Sequence, residues 1–169
     1  MLNPPPSTSL AEVRAHDQVM RYRRAGAGRP IVVLRSAPDS EPLWPELEEW
    51  LAGAFRVITP EIPRSGADVA RWLGDFLEGV GLEHVTLVAT EGYCLPALEL
   101  ALLGADQIER LVLVPAGYAD ETGLAGTLAT SLAGVAVPLL VVRRGLSAIE
   151  ALPLLRHFMQ SRADGAIAG

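Results

Sequence analysis

A sharp strand-to-helix turn is a common seat for a nucleophile. The stretch V-T-L-V-A-T-E-G-Y-C-L-P-A-L-E-L-A, Val85 to Ala101, reads as such a turn: an apolar run passes abruptly into a helical pattern. Glu91 stands at its apex and Cys94 opens the helical part. A carboxylate at such a point attacks an electrophilic carbon to give an ester, which a base-activated water must then hydrolyse. A thiol at a helix N-terminus is favoured as the nucleophilic thiolate, and Pro96 in the first helical turn gives up an N–H that has no partner there. Either chemistry needs a base within hydrogen-bond reach. The three histidines do not supply one. His16 precedes the core, His84 precedes the strand beginning at Val85 and so sits at its far end, and His157 falls in the last helical pattern. Each reads as a surface or packing residue.

The elements that must position these groups are legible as alternating patterns. Runs at Val19 to Arg24, Ile31 to Leu34, Phe55 to Thr59, Val85 to Ala89, Leu111 to Val114 and Leu139 to Val142 read as strands. The last five are nearly continuously apolar, as strands covered on both faces must be. Between them, Leu43, Leu47, Trp50 and Leu51 share a helical face that Gly53 ends. Ser65 with Asp68 reads as a capping box opening a helix toward Gly79, Leu95 to Leu103 is a third helix, and Ile149 to Gln160 a fourth. Strands alternating with helices predict an α/β fold of three layers around a doubly wound, mostly parallel sheet. Domain limits follow: a Pro/Ser-rich tail over 1–12, one domain over 13–160 with order beginning near Val13, and a tail over 161–169.

Composition narrows the function classes. The chain has 169 residues, half of them hydrophobic, and a net charge of −6, with every basic charge an arginine. That is enough apolar content for one sizeable core, and an acidic balance of this kind argues against nucleic-acid binding. A single cysteine forms no internal disulfide, and no charged segment followed by an apolar one opens the chain. Apolar runs are interrupted well short of the roughly 20 residues a membrane helix needs. The expectation is a cytoplasmic protein with no membrane span, no metal and no cofactor.

The segments R-Y-R-R-A-G-A-G-R-P-I-V-V-L, L-W-P-E-L-E-E-W-L-A, F-R-V-I-T-P-E-I-P, V-T-L-V, A-L-E-L-A and I-E-R-L-V-L-V-P-A-G, in order from Val19 to Val142, resemble the core of the α/β-hydrolase family. The resemblance implies a site beyond the carboxyl ends of the strands, where loops follow Leu34, Thr59, Ala89 and Val114. It also exposes departures. The family's His-Gly after the strand that helps build the oxyanion hole is Arg35-Ser36 here, and its G-x-S-x-G elbow is Ala89-Thr90-Glu91-Gly92-Tyr93, with Glu91 on the nucleophile. No aspartate follows Val142, where Arg143-Arg144-Gly145 stand, and the final strand that precedes the family's histidine is missing. Read three residues later, Gly92-Tyr93-Cys94-Leu95 is similar to the cysteine elbow of dienelactone hydrolases, and Glu91 as nucleophile to the carboxylate of dehalogenases and epoxide hydrolases, which use aspartate.

The expectation is therefore a reduced α/β-hydrolase-like domain whose Ser-His-Asp machinery has been replaced, acting as a small-molecule-binding or protein-interaction module. The alternative is a hydrolase of small esters, lactones or halides using Glu91 or Cys94. Arg35, Ser36, Trp44, Tyr93 and Tyr118 are the expected ligand-facing set, with a lid over Tyr118 to Ala136 too short to form a domain. Arg35 and Glu91, at the ends of neighbouring strands, are expected to form a salt bridge within about 4 Å. Without a final strand, Leu139 to Val142 is an apolar sheet edge, which predicts a homodimer.

Overall fold

The computed structural model describes residues 7–35, 44–63, 68–114, 134–142 and 148–161, without the side chains of Trp44, Pro45, Glu91, Ala148 and Ile149. The chain opens with an antiparallel hairpin of β1 (Ser9–Ala15) and β2 (Gln18–Ala25). His16 and Asp17 form its tip with φ of 45° and 63°, the pair of left-handed residues that a two-residue type I′ turn needs. Strand order thus begins at Ser9, ahead of the expected start at Val13. The inward positions of β1 are Ala11, Val13 and Ala15, whose short side chains give a weak period-2 signal, and the ladder to β2 orders the rest.

There follow β3 (Pro30–Leu34), α1 (Trp44–Ala54), β4 (Arg56–Pro60), α2 (Val69–Val80), β5 (Val85–Thr90), a 3-10 turn (Glu91–Tyr93), α3 (Cys94–Leu102), β6 (Ile108–Val114), β7 (Leu139–Val141) and α4 (Ala148–Gln160). The sheet order is β1-β2-β4-β3-β5-β6-β7, with β2 antiparallel to both neighbours and every pair from β4 to β7 parallel. Among the described residues the sheet ends at β7. Its two faces are covered separately: Leu73, Phe76, Leu77, Ala97 and Leu98 of α2 and α3 pack on one, and Leu47, Leu51, Ala151, Leu155 and Met159 of α1 and α4 on the other. This is the three-layer, doubly wound arrangement the alternation predicts.

Helix ends differ in detail from the sequence expectation. Ser65 lies outside the described residues; the N-cap of α2 is Asp68, whose carboxylate accepts from the Arg71 N–H at 3.1 Å. The helix passes through Gly79 and stops at Gly81, which takes the left-handed conformation at φ 68°. Gly79 is internal for a packing reason: a Cβ there would stand 2.8 Å from the Ala15 Cβ of β1. Likewise α1 runs through Gly53 to Ala54. The tight joint lies nearby at Gly26, where φ is 74° and an added Cβ would fall 2.2 Å from the carbonyl oxygens of Ala52 and Phe55.

At the amino ends of the central strands lies a cluster of charge. Strand β6 starts at Ile108, ahead of the expected Leu111, and so carries Glu109 and Arg110 inside the sheet. One Arg29 Nη donates to both Glu109 oxygens at 2.6 and 2.7 Å, and Arg110 pairs with the same carboxylate at 3.1 Å. Arg110 is 2% exposed and also donates to the carbonyl of Ser161, just beyond α4. A guanidinium there satisfies a helix C-terminal carbonyl and complements the helix dipole.

Candidate functional site

The carboxyl ends of β3 and β5 lie side by side, since Leu34 pairs with Ala89 in parallel register. The Thr90 hydroxyl, 3% exposed, donates to the Leu34 carbonyl at 3.1 Å and ties the two strand ends together. Glu91 is the first residue beyond β5 and begins the 3-10 turn that runs straight into α3. The backbone therefore enters the helix through a tight helical turn. Gly92 in this turn is exposed, and a Cβ there would meet nothing within 4 Å among the described residues.

Cys94 is the first residue of α3 and is 1% exposed. Its Sγ points back at the sheet and donates to the Ala89 carbonyl at 3.4 Å. The thiol is thus packed between helix and strand with Ala97 and Leu98. Tyr93 is half-buried against the same cluster.

On β3, Arg35 sits immediately past the strand with its side chain 13% exposed. Its Nη2 lies 3.3 Å from Oε2 of Glu48 on α1. The expected Arg35–Glu91 contact involves a side chain outside the described residues. The partner shown, Glu48, was missed from the sequence. Its signal was the Leu47–Leu51 spacing: these two residues, each 1% exposed, turn one face of α1 onto the sheet and leave Glu48 beside that face, within reach of the strand end. Val33, Leu51, Val57 and Thr59 wall the crevice below the pair, which leaves no room for a water molecule. A wider depression of about 440 Å³ lies between β2, the exit of β4 and Trp72 of α2, on the outer side of the sheet from Glu91.

Ser36 and Tyr118 lie outside the described residues, as does the side chain of Trp44. The histidines stand apart from the β5 turn. His16, at the hairpin tip, is 3.7 Å from Asp75 and four strand spacings from β5, about 19 Å. His84 precedes β5, about 20 Å from Glu91 along a six-residue strand. His157 is exposed in the last turn of α4, near the end of the sheet where Ser161 meets Arg110. Among the described residues no three His, Cys, Asp or Glu side chains gather to hold a metal ion, and no helix is long and apolar enough to cross a membrane.

No protein-family profile matches the chain. Uncharacterised proteins of Mycobacterium tuberculosis and Mycobacterium bovis are 27% identical over 124 residues, which cover 67% of this chain and 36% of theirs. The chain thus spans about a third of the length of these curated relatives. Among solved structures, the haloalkane dehalogenase DatA of Agrobacterium tumefaciens C58 is similar at 20% identity and a TM-score of 0.52, over 63% of this chain and 40% of that one. A serine hydrolase involved in carbazole degradation aligns at 21% identity and TM-score 0.56, over 73% of this chain and 56% of that one. A bacterial membrane phospholipase A aligns at 13% identity and TM-score 0.63, over 90% and 76%.

Proposed function

The chain has the α/β-hydrolase fold, and from that premise we propose that it is a hydrolase-like binding module, for a small molecule or a protein, that does not work through a Ser-His-Asp triad. The observation that carries this reading is the turn after β5. Glu91 occupies the first position beyond the strand, and the nearby thiol of Cys94 is 1% exposed and bonded inward to the Ala89 carbonyl. With His16 and His84 each about 19 to 20 Å away, neither of them reaches that turn to activate water or a nucleophile. The proposed ligand-facing set is Arg35 and Tyr93, beside the carboxyl ends of β3 and β5, with Ser36, Trp44 and Tyr118 carried over from the sequence alone. Arg35 is held against Glu48, so a ligand meets a paired guanidinium rather than an open oxyanion hole. In this reading the protein works in the cytoplasm without a cofactor.

The competing reading, turnover of a small ester, lactone or halide through Glu91 or Cys94, is tested directly. The native protein is screened with p-nitrophenyl esters of several chain lengths beside Glu91→Ala, Glu91→Ser and Cys94→Ala. The expected result is no turnover above the Glu91→Ala background. Turnover in the native protein that Glu91→Ala or Cys94→Ala abolishes makes it an enzyme and names the nucleophile.

A further inference from the structure

One face of the sheet is only partly covered. On that face α1 lies over Ala25, Ile31, Val33 and Val57, and α4 over Val88, Val112 and Val142. The cross-strand register places Arg23 and Ala25 of β2 on the same side as Thr59 and Val57 of β4, hence on the side of α1. By the same alternation Val19 and Arg21 face that way, and the hairpin ladder sets Arg14, Glu12 and Leu10 opposite Val19, Arg21 and Arg23. All six are exposed, Leu10 at 64% and Val19 at 52%. Among the described residues, the ribbon therefore has no helix over it on this side.

Its charge runs against that of the whole chain. Three arginines stand there against one glutamate, in a chain of net charge −6. Glu12 pairs with Arg21 at 2.8 Å, while Arg14 and Arg23 make no ion pair among the described residues. The adjacent helix α1 carries the opposite sign: Glu46 and Glu49 are exposed and likewise make no ion pair among the described residues.

We infer that this ribbon is the docking surface for a second copy of the chain, with Arg14 and Arg23 of each protomer against Glu46 and Glu49 of α1 in the other. Shape supports the pairing as well as charge. Helix α1 stands about 10 Å proud of the sheet beside the bare ribbon, a step next to a recess. A twofold axis along the strands lowers the α1 of each copy into the recess of the other. An 11-residue helix is about 16 Å long, within the roughly 24 Å of a seven-residue strand. The contact is self-complementary, as a twofold interface must be, and covers Leu10 and Val19, which stand on either side of the central Glu12–Arg21 pair. It lies at the opposite edge of the sheet from β7, and holds whether or not the β5 turn is catalytic.

The test is sedimentation velocity across the micromolar range on the native protein, on Arg14→Glu/Arg23→Glu, on Glu46→Arg/Glu49→Arg, and on an equal mixture of the two variants. All substitutions are on exposed side chains, and circular dichroism checks that each variant is folded. The native protein is expected to dimerise, and each variant alone to dissociate at least about tenfold more readily, because both symmetric contacts then oppose like charges. In the mixture every contact again joins opposite signs, so near-native affinity returns. A native monomer overturns the inference, as does a dimer that neither variant weakens. Weakening by the arginine changes alone also overturns it, since the ribbon then meets an acidic partner other than α1, and so does a mixture that fails to recover.

Discussion

At the amino ends of β3 and β6 the chain concentrates charge, whereas at the carboxyl ends of β3 and β5 the contacts shown are mostly neutral. The amino end joins three separate segments, at Arg29, at Glu109 and Arg110, and at Ser161, with Arg110 almost wholly buried and its Nε without a partner among the described residues. The carboxyl end joins Thr90 to Leu34, Cys94 to Ala89 and Arg35 to Glu48. A buried guanidinium tolerates little change, because removing one member of a buried ionic set strands the others. The bonds shown at the carboxyl end are each of modest worth, which leaves that end freer to vary. Binding residues on loops carried by a rigid scaffold follow the same division.

The largest expected effect is at the amino end. Arg110→Ala leaves Glu109 with one cation and the Ser161 carbonyl without its donor, at a cost of about 3 to 5 kcal/mol in urea unfolding. Arg110→Met sharpens the contrast, because an apolar side chain of similar length fills the space without an orphaned Nε and should lose markedly less. Next comes Gly26→Ala, where left-handed strain and the clash with two carbonyl oxygens add to roughly 2 to 4 kcal/mol, read from the same unfolding curves. At the carboxyl end Thr90→Val keeps the shape and removes one buried bond to Leu34, for about 1 kcal/mol. Smallest of all is Gly92→Ala, which meets open space and should change stability by less than about 0.5 kcal/mol in either direction. A Gly92→Ala loss as large as that of Gly26→Ala would break the comparison.

Much of the fold was legible because its central strands are continuously apolar. Strand β5 is buried at all six positions and runs one residue past the expected Ala89, so that Glu91, expected at the turn, follows it directly. What escaped was whatever depends on distant partners. Glu109 and Arg110 precede the strand expected at Leu111, yet they lie within β6, where Arg29 and Ser161, far away in the chain, satisfy them. Glu48, the partner shown for Arg35, comes from a helix crossing the sheet and is not legible from strand adjacency, while the expected contact with Glu91 involves a side chain outside the described residues. The rotation of a helix over its sheet is set by packing, which the spacing of Leu47 and Leu51 indicates only in part. The hairpin β1 was hidden for the opposite reason: its inward residues are too small to stand out, and only the ladder to β2 reveals it.

Cys94 has one more consequence. Because the chain's single thiol lies sealed between α3 and β5, a thiol reagent reaches it only when that helix lifts. Under native conditions its labelling rate is then the reagent's intrinsic rate scaled by the population of the opened form. The protein carries a built-in clock for partial opening at the carboxyl end of its sheet.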